Sequence, residues 1–186
     1  MQYSEYCENM SSALDLLEVT EDKKIIDNQQ AFTELVALSL KSRDANRQVF
    51  FVGNGASASM ASHTALDFWK HAAIRAFTFN DLVSLTATSN DYSFEEVFSK
   101  PLSFFGTQGD ILVCISSSGR SPNVLKAAEV AKEKGMYVVT LSAMDSDNPL
   151  RSLGDLNFYV PAMTYGHAEA AHQVLLHFWV DKIMHT

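Results

Sequence analysis

Cysteine is scarce. Cys7 and Cys114 are the two in 186 residues, and Cys114 lies inside the apolar run Ile111 to Ile115. No disulfide framework can be built from so little, so the pair reads as structural thiols in a reducing compartment. Positive charge is also short. Lys plus Arg total 14 against 22 for Asp plus Glu, a net charge of −8, which excludes a broad basic footprint for a nucleic-acid backbone. Any anion bound by this chain must be bound locally. Long hydrophobic runs are missing as well: no stretch approaches the roughly 18 apolar residues of a membrane span. The segment Met1 to Glu8 has neither the basic nor the apolar region of a secretion signal. A soluble cytoplasmic protein with no membrane or nucleic-acid partner is therefore expected. The pattern GxxxxGK[ST] is absent too, which leaves nucleotide hydrolysis without support.

With 47% hydrophobic and 19% charged residues, a folded core is expected. A chain of about this length buries roughly 70% of its unfolded surface, and a prior of about 150 residues per domain favours one domain over 1–186. Residues 1–46 carry helix-like spacing, with Leu14, Leu16 and Leu17, then Phe32, Leu35, Val36 and Leu40, and predict an N-terminal helical pair. From residue 47 the texture changes. Apolar runs at Val49–Val52, Ala76–Phe79, Ile111–Ile115, Met136–Leu141 and Leu156–Val160 alternate with helical segments, among them Ser57–Trp69, Ser93–Phe105, Pro122–Lys134 and Ala168–Met184. This predicts an α/β fold over 47–186, a three-layer, doubly wound parallel sheet of about five strands. No linker, low-complexity tract or short-period repeat interrupts it.

Two unusual loops fall at the carboxyl ends of strands, where open α/β sheets bind ligands. In the second, Ser116-Ser117-Ser118-Gly119-Arg120-Ser121, the residues Ser116, Ser117, Ser118 and Ser121 offer four hydroxyls just before a helix whose first residue is Pro122. Hydroxyl and backbone N–H donors at a helix N-terminus are what a phosphate dianion requires. A capping turn would explain Ser121 and leave three consecutive serines without a task. The first loop, Gly53-Asn54-Gly55-Ala56-Ser57-Ala58, also fits the GxGxx(G/A) spacing of a dinucleotide site with Asp81 as the ribose acid, but that reading gives the serine loop nothing to do.

With these pieces placed, the sequence resembles the sugar isomerase (SIS) domain family, and within it the phosphoheptose isomerases. The similarity runs over nearly the whole chain. It is carried by Gly53-Asn54-Gly55-Ala56-Ser57, by Ala61-Ser62-His63-Thr64-Ala65-Leu66-Asp67, by Asn90-Asp91-Tyr92-Ser93-Phe94-Glu95-Glu96-Val97-Phe98, and by Ile115 to Asn123. The resemblance implies an enzyme that interconverts sedoheptulose 7-phosphate and the aldose D-glycero-D-manno-heptose 7-phosphate through an enediol, in lipopolysaccharide or capsule precursor supply. It implies substrate binding by Asn54, Gly55, Ser57, Asp91, Ser116, Ser117, Ser118 and Ser121, and homotetramers.

In that family a histidine and a glutamate one helical turn apart match His63 and Asp67, and a glutamine and a histidine on the last helix match Glu169 and His177. Asp thus stands for Glu and Glu for Gln. An Asp-Arg pair aligns with Gly166-His167, and the glycine-rich turn after the fourth strand is replaced by Met144-Asp145-Ser146-Asp147. Carbonyl transfer needs a base for the proton alpha to the carbonyl and an acid or metal for the enediolate. Asp67 is assigned as base, with Glu169 as its rival and His177 as partner acid. Some family members bind zinc at positions matching His63, Asp67, Glu169 and His177, a set acceptable to Zn²⁺.

Glu169 and His177 are eight residues apart, about 12 Å along a straight helix, so a site shared between subunits of a homo-oligomer is expected. His172 reads as a supporting or interface residue, His71 and His185 as solvated surface, and Arg120 as the cation best placed beside a phosphate. Leu175, Leu176, Phe178 and Trp179 read as core or interface. Non-catalytic SIS relatives, which sense sugar phosphates or act as oligomeric adaptors, are the alternative. Those that bind replication initiators lose the acid and the last-helix histidine, whereas Asp67 and His177 are ionisable.

Overall fold

The computed structural model describes residues 2–186. The chain begins with helix α1 (Tyr3–Asp15), a hairpin of β1 (Glu18–Glu21) and β2 (Lys24–Ile26), and helix α2 (Asn28–Asp44). The sequence then alternates: β3 (Gln48–Gly53), α3 (Ala56–His71), β4 (Arg75–Thr78), α4 (Leu82–Asp91), a 3₁₀ turn at Phe94–Glu96, and α5 (Ser99–Phe105). It continues with β5 (Ile111–Ser116), α6 (Pro122–Glu133), β6 (Tyr137–Ala143), α7 (Leu150–Leu153), β7 (Leu156–Val160) and α8 (Tyr165–Met184).

The strands form one sheet in the order β2-β1-β7-β6-β5-β3-β4. β3 to β7 are parallel, as the pattern of apolar runs and helices predicts, while β1 pairs antiparallel with both β7 and β2. The sheet therefore has two strands more than predicted, both inside the segment expected to be helical. The reason is tertiary. Glu18-Val19-Thr20-Glu21 is four residues long, too short to show a period, and its Val19 is fully buried opposite Phe158 of β7. Asp22 and Lys23 turn the hairpin with φ of 46° and 66°; the aspartate is usual in such a turn, but a lysine stands where glycine would ordinarily signal it. Residues 82–91, between the expected strand at 76–79 and the expected helix at 93–105, form α4, and that helix is broken into the 3₁₀ turn and α5.

Strand side chains alternate between two cores. Val49 and Phe51 of β3 and Ile111, Val113 and Ile115 of β5 face α1, α2, α3 and α8. Phe50, Val52, Leu112 and Cys114 face α5, α6 and α7. On the first face α3 lies beside α8. Phe68 of α3 packs edge-on against Trp179 of α8 at 4.7 Å and against Phe51 at 5.1 Å. The Trp179 indole N–H donates to Ser39 Oγ at 3.0 Å, which satisfies the polar end of this buried ring. Leu175, Leu176 and Trp179 are core, as expected, and Phe178 packs edge-on against Phe32 of α2 at 4.8 Å.

His172 is fully buried on α8, and burial pushes its imidazole from the ordinary 6.5 down to about 4, against a weaker opposing pull from the Ser142 backbone. A depressed folded-state pKa favours folding at high pH. The contribution is complete above about pH 6.5 and is lost as pH falls towards 4, amounting to about 3 kcal/mol over that window. Urea unfolding from pH 8 to pH 4 should therefore show stability falling below pH 6.5, and His172→Gln should flatten that part of the profile. An unchanged slope in the variant would place the proton uptake elsewhere.

Candidate functional site

The order of strands reverses between β3 and β5. The chain leaves β3 by α3 on one face of the sheet and leaves the neighbouring β5 by α6 on the other. Such a reversal opens a crevice outside the carboxyl ends of the two strands. A cavity of about 180 Å³ lies there, lined by Asn54 and Ser57, by Ser116, Ser117, Ser118 and Ser121, and by Tyr165 and Glu169 of α8. Ser57 is in the first turn of α3, Ser121 caps α6 and Tyr165 opens α8. Three helix N-termini thus converge on one cavity, each the equivalent of about half a positive charge. No Lys or Arg lines it.

The loops are held in shape by their own bonds. Asn54 and Asn123 exchange amide hydrogen bonds at 2.8 and 2.9 Å, which ties the first glycine loop to α6. Ser116 and Ser121 hydroxyls lie 3.3 Å apart, and the Ser117 carbonyl accepts from Ala143 N–H at 2.9 Å. Gly119 has φ +61°, and a Cβ there would sit 2.0 Å from Asn148 Oδ1, so the turn takes no other residue without moving Asn148. Gly55 precedes α3 with φ 56° and ψ −123°, a region open to glycine alone. Its place in the sequence motif is thus a backbone requirement; it does not line the cavity.

Two more residues expected beside a bound phosphate or sugar lie away from this cavity. Arg120 turns away from it and pairs with Asp145 at 2.6 Å; a backbone bond from Asp147, and then Arg120, hold the Asp145 carboxyl below its usual value. The acidic Met144-Asp145-Ser146-Asp147 turn therefore takes the arginine. Asp91 is exposed at the end of α4, where it accepts from the Asn90 amide at 3.0 Å, and it does not line the cavity. Asp81, the acid considered for a ribose, caps α4 by accepting from Val83 and Ser84 N–H, both at 3.0 Å. Tyr165 is a lining residue that sequence reasoning missed, since an isolated tyrosine before a helix carries no motif.

The packing of α3 against α8 makes a second cluster. His63 Nε2 lies 3.3 Å and His177 Nδ1 4.0 Å from Asp67 Oδ2, and the two imidazoles meet edge to face at 5.4 Å. Asp67 is the inner member, with 14% of its side chain exposed against 52% and 49% for the histidines. His63 and Asp67 share a helix face by their i, i+4 spacing, while His177 comes from α8. His71, one turn beyond Asp67, lies 3.9 Å from Asp67 Oδ1. It is a neighbour of the carboxylate, and its i, i+4 spacing to Asp67 is the signal that could have shown it. Among the described residues, His63, Asp67 and His177 are the group able to hold a metal ion, with ligand atoms all within 4.8 Å of one another. Glu169 is not in this group; α8 runs unbroken from Tyr165 to Met184 and separates it from His177 by about 12 Å. The expected four-residue metal set is thus reduced to three within one chain.

This arrangement, a parallel α/β sheet with a serine-lined loop at its strand reversal, defines the class. The SIS domain profile matches residues 5–143. The phosphoheptose isomerase of Fusobacterium nucleatum is 32% identical over 163 residues, covering 84% of each chain, and that of Helicobacter pylori is 32% identical over 168 residues and 87% of each. The solved structure of the phosphoheptose isomerase of Neisseria gonorrhoeae superimposes with a TM-score of 0.84, at 28% identity, covering 97% of this chain and 94% of that one. The chain belongs to the SIS domain family and, within it, to the phosphoheptose isomerases.

The cavity offers hydroxyl donors and helix dipoles to an oxyanion. Replacing Ser116 and Ser121 together by Ala should raise the dissociation constant for inorganic phosphate at least tenfold, since a hydrogen bond to a charged group contributes about 1.5–3 kcal/mol. Phosphorus NMR titration measures it, and unchanged affinity would remove the two hydroxyls from the site.

Proposed function

We propose that the protein interconverts sedoheptulose 7-phosphate and D-glycero-D-manno-heptose 7-phosphate, the phosphate seated among Asn54, Ser57 and the four serines. The family supports the reaction class. The observation that carries the assignment to these residues is the pairing of an anion cradle built from hydroxyls and helix ends with a largely buried carboxylate flanked by imidazoles. A purely sensing protein has no use for the second feature.

In this reading Asp67 removes a proton from the carbon beside the ketose carbonyl, and His177 supplies a proton to the carbonyl oxygen. The reverse transfers on the neighbouring carbons give the aldose. His63, at 3.3 Å, holds the carboxylate in place. The same three side chains suit Zn²⁺, which takes imidazole nitrogen and carboxylate oxygen at about 2.0–2.2 Å and in catalytic sites leaves a fourth position open. Bound there, zinc would supply Lewis-acid polarisation of the carbonyl. Asp67 would then be a ligand, and Glu169, the carboxylate lining the cradle, would be the one free to move the proton. Proton NMR of sedoheptulose 7-phosphate in deuterated buffer should show exchange beside the carbonyl and aldose formation. Asp67→Asn in chelator-treated protein should lower turnover roughly 100-fold or more while the ketose still binds. Absence of exchange with zinc and with chelator, binding intact, would overturn the reading.

We further propose that the active site is completed between copies in a homotetramer. Along α3, Ser57 and Asp67 are ten residues, or about 15 Å, apart, and the about 12 Å between Glu169 and His177 keeps cradle and cluster of one chain separate. Exposed Phe104, Phe105 and Tyr92 supply apolar surface that a soluble monomer rarely leaves open. Sedimentation velocity should give a four-chain species. A fully active monomer would exclude shared sites.

A further inference from the structure

At the opposite, amino-terminal edge of the sheet, a cavity of about 470 Å³ opens between the end of α2 and the starts of β5, β6 and β7. Five steps along β5 separate it from the serine cradle, roughly 17 Å. A smaller cavity of about 220 Å³ shares Glu21, Leu38 and Tyr137 with it, so the two form one groove along α2. Glu34, Leu38, Lys41 and Ala45, at i, i+4, i+7 and i+11, give one face of the helix to it.

Lys41 and Arg47 lie toward one end of this groove and Glu21 and Glu34 toward the other, while Asp22 and Asp155 also line the larger cavity. Among the described residues neither Lys41 nor Arg47 lies within ion-pair distance of a carboxylate. Beside them Ser42 is buried, 4% exposed, and its hydroxyl has no hydrogen-bond partner. At the other end Glu21 and Glu34 come together. Gln30 donates to Glu34 Oε1 at 2.8 Å, Glu34 Oε2 is buried with no donor from the protein, and Glu21, which abuts the Glu34 carboxyl, has a long contact of 3.5 Å from the Tyr137 hydroxyl. Burial first, and then the neighbouring Glu34 and Asp22 charges, raise the Glu21 carboxyl above its ordinary value. An unpartnered hydroxyl beside free cations, and an unpartnered carboxylate oxygen in a crowded acidic end, each ask for a complementary group. Leu35, Leu38 and Met136 form the apolar wall between them.

We propose that this groove is a second ligand site, for a small zwitterion with an aliphatic middle. Its ammonium group sits between Glu21 and Glu34, and its oxyanion is held by Lys41 and Arg47 with the Ser42 hydroxyl. Seven residues of helix separate Glu34 from Lys41, about 10 Å along the axis, so the two charges of the ligand must be well apart. A compact α-amino acid cannot bridge the groove.

Isothermal titration of the full chain with 8-aminooctanoate, octanoate, octylamine and glycine tests this. Binding of 8-aminooctanoate is expected, with octanoate, octylamine and glycine at least about tenfold weaker, the loss that follows from one charged hydrogen bond. Glu34→Gln, and separately Lys41→Ala with Arg47→Ala, should each cost a similar factor. Ser116→Ala with Ser121→Ala should leave binding unchanged, which keeps this site distinct from the cradle. Octanoate or octylamine binding as tightly as the amino acid would overturn the proposal. So would insensitivity to the groove variants, or no binding at millimolar concentration.

Discussion

The reversal of strand order between β3 and β5 is the constraint on which the site depends. Because α3 leaves to one face and α6 to the other, neither helix covers the carboxyl ends of the two strands, and both point their N-termini at the gap. The return of α8 beside α3 brings a third N-terminus. Each arrangement follows from right-handed crossovers on a twisted sheet and needs no special residue until the loops themselves. There Gly55 and Gly119 allow the backbone to turn, and the Asn54–Asn123 pair locks one loop to the next.

This geometry resolves an electrostatic problem. A chain with a net charge of −8 repels phosphate at long range, yet no Lys or Arg lines the cradle. What favours an anion there is the peptide dipoles of the helix N-termini, which act over the first helical turn, set against the Glu169 carboxylate that also lines the cavity. Arg120, in the middle of the serine loop, is drawn out by Asp145. The exchange is local: an acidic turn after β6 lies close enough to claim the one cation the loop contains.

The cluster of His63, Asp67 and His177 has a different origin. It exists because Phe68, Trp179 and Phe51 pack α3 against α8, and because both helices start at the same edge of the sheet and run side by side. Asp67 then meets His177 across the interface while keeping His63 and His71 within its own helix. The substitution of Asp for Glu is compatible with this packing, since His63 and His177 both stand at 3.3 to 4.0 Å from the shorter carboxylate. Glu169 belongs to the first turns of α8 and so to the cradle, a division of labour within one helix.

Local signals determined a good deal by themselves. The five parallel strands, the helices between them, the serine loop before Pro122 and the i, i+4 pairing of His63 with Asp67 are all legible because each depends on residues within a few positions, through periodicity, capping and backbone stereochemistry. The tertiary structure alone decided the rest. Val19 became a strand residue because Phe158 lay opposite it, Asp91 and Arg120 fell outside the cavity because of what α4 and the Asp145 turn offered them, and Tyr165 entered it through the return of α8. The grouping of His177 with Asp67 likewise depends on the packing of two helices more than a hundred residues apart in sequence, whereas its distance from Glu169 follows from their spacing along α8. Long-range contacts of this kind leave no period and no spacing in the chain, since what fixes them is the burial of apolar faces shared by many residues at once.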